Sequence, residues 1–274
     1  MSILQLSNGF KAVGITDCGL KRERNEDSYG LDAELGLLLL ADGMGGYTRG
    51  DIASNEAVKR FTAFIQTLTI EPEPSFWHKI RHSLYTRPQR NAQQLQLAEY
   101  AEQLVRDLLQ ATHNDIEQLN LMYPPGSGVM GTTFVGLWMW SKLPEHVMVF
   151  HAGDSRAYRY RNGQIEQLTN DHSLFQQWLD DGSVGQQPAK NVVLQALGAV
   201  AELQPDVSLQ LLENDDRLLL CSDGLTGMVD DMFLEQVMAQ LTAINLQQSC
   251  QDLIDQANAN GGVDNVTVIL ACHK

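Results

Sequence analysis

Two segments of the chain combine a continuous apolar run with an aspartate and a glycine at or just after its end. Residues 37–46 read LLLLADGMGG, and residues 218–227 read LLLCSDGLTG. Apolar runs of this length are typical of strands that are buried on both faces. The pattern therefore predicts two core strands that end in carboxylates, at Asp42 and Asp223.

Helical periodicity, with apolar residues three and four positions apart, occurs in four other stretches. The first starts at Asp51, the second starts near Ala92, and the last two cover about residues 231–243 and 246–258. Residues 71–91, between the first two helices, contain prolines and basic residues and predict a loop or a small insertion.

The middle of the chain is rich in predicted strands. TTFVGLWMW and EHVMVFHAGD precede RAYRYRNGQIEQLT, in which the pair Asn162-Gly163 predicts a two-residue hairpin turn. That register places Arg159 opposite Glu166 and Tyr160 opposite Ile165, and VDNVTVILAC predicts a buried final strand. Hairpins and the lack of regular βαβ alternation favour an α+β fold with antiparallel sheets. We expect one domain spanning residues 1–274.

Composition excludes several classes of function. The formal charge of -15 and the pI of about 4.7 argue against nucleic acid as a partner, because phosphate backbones are bound by basic surfaces. No window approaches the roughly 18 apolar residues of a membrane span, so we expect a cytoplasmic protein without membrane insertion. The four cysteines form no C-x-x-C pair and predict reduced, mostly buried thiols.

Acidic residues recur beside apolar strands at four places along the chain, and no histidine or cysteine recurs with them. A carboxylate near a core is unfavourable unless it is paired or binds a metal, and an all-oxygen ligand set suits Mg²⁺, Mn²⁺ or Ca²⁺. Asp-Gly is also a common turn pair, so each site alone has a structural explanation. Their recurrence favours a hydrolytic centre with two metal ions. The acidic residues are Glu26, Asp27, Asp42, Asp223 and Asp264.

The motifs that carry these residues also identify a family. RERNEDSYG, LLLLADGMGG, GTTFVGL, HAGDSRAYRYRNGQIEQLTNDHS, LLLCSDGLTG and GGVDNVTVIL occur in that order. The chain resembles the PP2C (PPM) metal-dependent serine/threonine phosphatases, especially the compact bacterial members. The resemblance implies a central sandwich of two antiparallel sheets flanked by pairs of helices. It also implies a metal centre in a cleft at one end of the sandwich.

The resemblance implies a role for each acidic residue. Asp42 corresponds to the aspartate that bridges two Mn²⁺ or Mg²⁺ ions, and the carbonyl of Gly43 binds one of them. Asp223 and Asp264 complete the first metal site, and Glu26 serves the second metal. Arg22 corresponds to the arginine that binds the substrate phosphate, for which a guanidinium fork is well suited.

Other motif residues are expected to support the cleft through hydrogen bonds. Asp27, Asp154 and Asp171 belong to this group, and for His172 a structural role is favoured over one as a general acid. Thr132 and Thr133 are interpreted as strand residues with anchored hydroxyls and no chemical role.

Two positions depart from the family pattern. Met44 stands where some relatives have a histidine proposed to protonate the leaving group, so water must supply that proton. Gly128 stands where many bacterial relatives have an aspartate that helps to bind a third metal, which makes a third ion doubtful here.

The implied activity is hydrolysis of phosphoserine and phosphothreonine in proteins, by in-line attack of a hydroxide that bridges the two metals. The expected partners are phosphoproteins modified by an opposing Ser/Thr kinase, and the expected state is a monomer. One alternative is a pseudophosphatase that binds phosphoproteins without cleaving them. Another is a magnesium nuclease or phosphodiesterase, which conflicts with the acidic surface.

Overall fold

A computed structural model describes residues 3–6, 9–44, 49–70, 90–124 and 126–273 of the chain. The predicted insertion lies largely outside this part, since residues 71–89 are not described. Gly45 and Gly46 of the first aspartate-glycine motif also lie outside it.

Twelve described strands form two sheets in which every pairing is antiparallel. The first sheet has the order β1-β2-β12-β11-β8-β9, and the second has the order β10-β7-β6-β4-β3, with β5 paired to β4. The strand bounds are β1 Leu4–Gln5, β2 Phe10–Asp17, β3 Asp27–Asp32, β4 Leu37–Met44, β5 Gly131–Thr132, β6 Phe134–Trp138, β7 His146–Ala152, β8 Arg156–Arg161, β9 Gln164–Gln167, β10 Asp206–Leu211, β11 Arg217–Cys221 and β12 Val266–His273.

The described helices confirm three of the four predicted stretches and correct the fourth. Their bounds are α1 Gly50–Ile70, α2 Arg90–Leu121, α3 Leu174–Asp180, α4 Asp223–Thr226, α5 Asp231–Gln240 and α6 Leu246–Ala259. The prediction that α5 reaches residue 243 is wrong, because Leu241 is extended. Arg217 binds the carbonyls of Met238 and Ala239 at 2.7 and 2.6 Å, and these contacts satisfy carbonyls at the end of the helix.

The alternation of side chains along the strands explains why the leucine runs are apolar throughout. In β4, Leu38 and Leu40 point into the core between the two sheets, whereas Leu37 and Leu39 face the core under α1 and α2. β11 repeats this arrangement, and its outer side chains pack under α5 and α6. Because both faces of each strand are covered, neither face tolerates polar residues. The predicted sandwich flanked by pairs of helices is therefore confirmed.

The central hairpin has the predicted register. Arg159 pairs with Glu166 and Tyr160 with Ile165, and the turn residues Asn162 and Gly163 have φ values of 52° and 83°. Arg159 also forms a salt bridge of 2.6 Å with Glu166.

Two predictions from composition can be compared with the described residues. All four cysteines are free thiols, three of them buried and Cys18 partly exposed. No helix in the described ranges is both long and apolar enough to cross a membrane.

Candidate active site

A cleft of about 320 Å³ lies at one end of the sandwich, where β4, β11 and the loops before β3 and β12 meet. It gathers every residue that the sequence predicts as a metal ligand or phosphate contact. Its lining residues are Arg22, Glu26, Asp42, Gly43, Met44, Thr133, Asp154, Asn191, Val193, Asp223, Asp264 and Asn265.

Asp42 is positioned in the cleft by hydrogen bonds between its backbone and Thr132 and Thr133. Its N–H donates to the hydroxyl of Thr133 at 3.1 Å, and its carbonyl accepts from the N–H of Thr133 and the hydroxyl of Thr132 at 2.9 and 2.8 Å. The hydroxyls of Thr132 and Thr133 are thus anchored, as predicted. None of these bonds involves the carboxylate of Asp42, which lines the cleft and shares a hydrogen bond with Asp223.

Asp223 reaches the same cleft by a different backbone route. β11 ends at Cys221, Ser222 is extended, and Asp223 begins the short helix α4. The sequence had predicted only a strand end at this position. Ser222 links this turn to β3 and β12, since its hydroxyl donates to Asp27 at 2.9 Å and accepts from the N–H of Thr267 at the same distance.

The loop before β3 brings Glu26 close to the start of α1. The N–H of Gly50 donates to Glu26 Oε1 at 3.2 Å, and the N–H of Gly43 donates to the Glu26 carbonyl at 3.2 Å. A Cβ on Gly43 would collide with the carbonyl of Gly50. Glycine at position 43 therefore allows β4, Glu26 and α1 to meet at this edge of the cleft.

Arg22 and Asp264 face each other across the mouth of the cleft. Their side chains form a salt bridge of 2.6 Å, and the Arg22 side chain is 52% exposed. Asn265 connects their two loops, because its amide donates to the carbonyls of Cys18 and Arg24 and its oxygen accepts from the N–H of Glu26. Sequence reasoning gave Asn265 no role, although it directly follows Asp264 in the GGVDNVTV motif.

Known proteins are similar to this chain over most of its length. The profile of the family described as protein phosphatase 2C matches residues 20–257. The serine/threonine phosphatase stp of Listeria monocytogenes is 31% identical over 266 residues, covering 93% of this chain and 92% of that protein. The chain belongs to the protein phosphatase 2C family. It is a serine/threonine protein phosphatase, as its motifs predict.

Solved structures of other phosphatases share the fold. The Mycobacterium tuberculosis serine/threonine phosphatase PstP/Ppp has a TM-score of 0.74 at 28% identity, covering 97% of this chain and 99% of that chain. A structure of the PstP catalytic domain in complex with two manganese ions has a TM-score of 0.72 at 29% identity, covering 96% and 97%.

The carboxylates of the phosphatase cleft oppose one another's ionisation. Burial raises the pKa of Asp42 well above its usual value, and the charges of Asp27, Asp223, Asp154 and Asp264 raise it further. The pKa of Asp223 is also raised, first by burial and then by Asp264. Such a cluster of anions is unfavourable without compensating positive charge.

Asp27 and Asp154 show the same effect. Burial raises the pKa of Asp27 to about 6, although hydrogen bonds from Thr267 and Ser222 to its Oδ2 oppose this shift. The Oδ1 atom of Asp27 is buried and has no hydrogen-bond partner in the described part of the chain. Burial, followed by the charges of Asp223 and Asp171, raises the pKa of Asp154 to about 7.

This donor set fits hard divalent cations. Five carboxylates line the cleft, no histidine or cysteine is among its described lining residues, and the Gly43 backbone also borders it. Oxygen ligands of this kind are those that Mg²⁺ and Mn²⁺ prefer. Cations would relieve the mutual repulsion that raises the pKa of Asp42 and Asp223.

The remaining predicted residues lie at different distances from the cleft. Asp154 lines it, whereas Asp171 is behind it and forms a bidentate pair with Arg156 at 2.8 and 2.6 Å. Met44 lines the cleft and carries no transferable proton. Gly128 is not among the described lining residues, and its carbonyl accepts from Arg49 at 3.1 Å.

Three further residues of the lining have no individual role predicted from the sequence. Thr133 was interpreted as structural only, and Asn191 and Val193 come from the segment after α3. An isolated β-bridge between Ser173 and Val193 holds that segment beside the NDHS motif. The resemblance to the phosphatase family implies that residues 174–198 shape substrate access, but it singles out no residue within them.

Proposed function

We propose that the phosphatase hydrolyses phosphoserine and phosphothreonine in proteins with two Mn²⁺ or Mg²⁺ ions bound in the cleft. The observation that carries this proposal is the convergence of five carboxylates beside one half-exposed arginine. The relative solved with two manganese ions supports the number of ions.

Each carboxylate has a proposed place around the ions. Asp42, whose pKa is raised by burial and by the charges of the surrounding carboxylates, would bind both metals, while Asp223 and Asp264 would bind the first. Glu26 would serve the second, and the Gly43 carbonyl would bind one of the two. When bound, the ions supply Lewis acidity and a nucleophilic hydroxide at neutral pH. No side chain of the protein needs to become covalently attached to the phosphoryl group.

Arg22 would hold the substrate phosphate. Its guanidinium now donates to Asp264, but the side chain is half exposed and lies at the mouth of the cleft. Two phosphate oxygens match the parallel N–H donors of a guanidinium. A bound phosphate would therefore share or replace Asp264 as the partner of Arg22 and fix the phosphorus for in-line attack.

The supporting residues would keep this geometry rigid. Asp27 links β3 to β12 through Thr267 and to the turn after β11 through Ser222. Asp171 holds Arg156, the first residue of β8, two positions after Asp154. Because Met44 cannot transfer a proton, water would protonate the departing serine or threonine oxygen. Without a carboxylate at Gly128, two ions rather than three are proposed.

Hydrolysis of p-nitrophenyl phosphate and of a phosphothreonine peptide with Mn²⁺ tests the proposal. The wild type should cleave both substrates. The wild type in excess EDTA and the Asp42→Asn variant should cleave neither. If the wild type binds the phosphopeptide with Mn²⁺ but shows no turnover, the pseudophosphatase alternative holds. Cleavage of bis-p-nitrophenyl phosphate in preference to both would favour a phosphodiesterase.

The cellular substrates are proposed to be proteins phosphorylated by an opposing Ser/Thr kinase. Comparison of phosphoproteomes from cells with the wild type and with Asp42→Asn would identify them. Phosphosites that accumulate only with the variant are the expected substrates, and unchanged phosphosites would contradict a role in protein dephosphorylation.

A further inference from the structure

Outside the carboxylate cleft, the described residues contain a cluster of two histidines and one aspartate. His151 in β7 is the register partner of Asp206 in β10, and His172 comes from the NDHS motif. One ring nitrogen of each histidine and one carboxylate oxygen of Asp206 lie within 4.8 Å of one another. None of the three lines the carboxylate cleft.

The cluster is accessible from two sides. A cavity of about 650 Å³ is lined by His172 and Asp206, and another of about 430 Å³ is lined by His151 and Asp206. His151 is buried, whereas the side chains of His172 and Asp206 are 16% and 65% exposed. An ion could therefore approach from solvent and reach a partly buried set of ligands.

The hydrogen bonds of His151 leave one ring nitrogen available as a ligand. Its Nε2 lies 2.8 Å from the carbonyl of Asn170, and a carbonyl only accepts, so Nε2 carries the proton. The lone pair is then on Nδ1. Burial and the neighbouring His172 lower the pKa of His151, which favours the neutral ring that metals require.

We propose that His151, His172 and Asp206 form a second metal site, selective for Zn²⁺ or a similar borderline-soft ion. Two imidazole nitrogens, one carboxylate oxygen and a water would give a four-coordinate set. This donor chemistry differs from the all-oxygen cleft, so the two sites should prefer different metals.

The present geometry is close to what such a site needs. His172 Nε2 and Asp206 Oδ2 are 3.3 Å apart, and two ligands of one tetrahedral zinc ion are separated by about 3.4 Å. The rings of His151 and His172 are stacked with centroids 4.4 Å apart. Shared coordination requires the His172 ring to tilt, because each lone pair lies in the plane of its ring.

A change in the position of the His172 ring would affect the phosphatase cleft, because the ring is hydrogen-bonded to Gly153. The N–H of Gly153 now donates to His172 Nδ1 at 3.4 Å. A metal on Nε2 keeps the ring proton on Nδ1, so this nitrogen can no longer accept from Gly153. Gly153 directly precedes Asp154, which lines the cleft, and the His172 carbonyl accepts from Leu194, next to Val193 of the lining. Zinc in the site should therefore reduce turnover.

Zinc binding can be measured without any activity. The experiment is an isothermal titration of Zn²⁺ into the full chain carrying Asp42→Asn and Asp223→Asn. These two substitutions weaken zinc binding in the cleft, which would otherwise compete. We expect one zinc ion per chain with these changes. Adding Asp206→Asn should weaken its binding about tenfold, and adding His151→Gln should abolish it. The matched control is His146→Gln at the other end of β7, which should leave binding unchanged.

The proposal is overturned if Asp206→Asn and His151→Gln bind zinc as tightly as the His146→Gln control. Asp206 is exposed, so its variant tests the site even if the buried His151 variant does not fold, as judged by thermal unfolding. Because the readout is binding, its failure is separate from any failure of the proposed phosphatase mechanism.

A second measurement tests the coupling. Zinc should inhibit Mn²⁺-loaded wild-type enzyme severalfold, and Asp206→Asn should raise the half-inhibitory zinc concentration about tenfold relative to His146→Gln. Equal half-inhibitory concentrations in both variants would show that zinc acts by displacing manganese from the cleft, which would overturn the proposed coupling.

Discussion

The ends of β4 and β11 look alike in sequence but deliver their aspartates differently. Both strands alternate side chains between the sandwich core and a helix-covered core, and both continue into Asp-Gly. β4 remains extended through Asp42 and Met44, whereas β11 stops at Cys221 and Asp223 begins α4. The shared sequence pattern thus predicts that an aspartate lies at the end of each buried strand. Whether the backbone at that aspartate is extended or helical depends on contacts with neighbouring loops.

The two ends also differ in the sign of the charges around them. After burial, the leading charges at Asp42 are Asp27, Asp223, Asp154 and Asp264, which all raise its pKa, whereas at Asp223 burial and Asp264 raise the pKa and Arg22 and Arg156 lower it. Asp42 therefore lacks a neighbouring cation among its leading charges, which agrees with its proposed role as a ligand to both metals.

The largest effect is expected from removing the charge at the β4 end. Asp42→Asn should lower kcat at least about a thousandfold, because loss of a ligand to both ions forfeits several kcal/mol of transition-state stabilisation. Asp223→Asn, which affects one ion, should lower it less. Both kcat values should be measured with saturating Mn²⁺. If Asp223→Asn lowers kcat as much as Asp42→Asn or more, the proposed difference between the two strand ends is wrong.

The glycines after the two aspartates provide the next test. A Cβ at Gly43 would collide with the Gly50 carbonyl, and one at Gly224 with the Asn265 carbonyl. Gly43→Ala and Gly224→Ala should each lower the free energy of unfolding by about 3 kcal/mol, measured by urea denaturation.

The matched control for these variants is Gly227→Ala. Gly227 has a φ of -72°, and its nearest neighbour to an added Cβ is the Asp223 carbonyl at 3.0 Å. This change should alter the free energy of unfolding by less than about 1 kcal/mol. If all three variants lose the same stability, close backbone approach is not the reason for glycine at positions 43 and 224.

Much of this architecture follows from sequence pattern because the decisive signals are local. The leucine runs, the Asn162-Gly163 turn and the helical stripes each depend on neighbouring residues. The short helix at Asp223 and the end of α5 at Gln240 depend instead on distant partners. Ser222 is held by Asp27 and Thr267, and the carbonyls of Met238 and Ala239 are bound by Arg217 from β11. Periodicity does not encode such contacts.

The same distinction applies to the cleft. Motifs predicted Glu26, Asp42, Asp223 and Asp264, but Asn265 joins the loops of Cys18 and Arg24 from about 240 positions away. The proposed zinc site was also missed, since Asp206 is 34 residues from His172 and becomes its neighbour only through pairing of β10 with β7.

The pH dependence of stability tests the charge at the β11 end, because Asp223 is the leading charge that raises the pKa of Asp154. In metal-free protein the folded pKa of Asp154 is about 7, against 3.8 for an ordinary aspartate. Between these values the folded state binds a proton that the unfolded state lacks, so this contribution to stability is lost as pH rises.

The free energy of unfolding of the wild type, relative to Asp154→Asn, should therefore fall by about 2 kcal/mol between pH 4.5 and pH 8 in EDTA. Solvent in the cleft makes this change smaller than the full shift in the pKa of Asp154 would give. Urea denaturation of both proteins at each pH provides the measurement. A constant or rising difference would contradict the proposed repulsion among the carboxylates.

The smallest effect is expected at the mouth of the cleft, where Arg22 is half exposed and solvent weakens its interactions. Arg22→Ala should lower kcat/KM for a phosphopeptide about tenfold, and Arg22→Lys about threefold, since lysine keeps the charge but loses the planar fork. An unchanged kcat/KM in Arg22→Ala would remove this arginine from phosphate binding.

Anomalous diffraction from crystals grown with Mn²⁺ tests the central claim most directly. We predict two manganese peaks in the cleft, with Asp42 contacting both, Asp223 and Asp264 contacting one, and the Arg22 guanidinium at the open side. Peaks confined to other parts of the surface, or a cleft in which Asp42 contacts no manganese, would contradict the proposed metal centre.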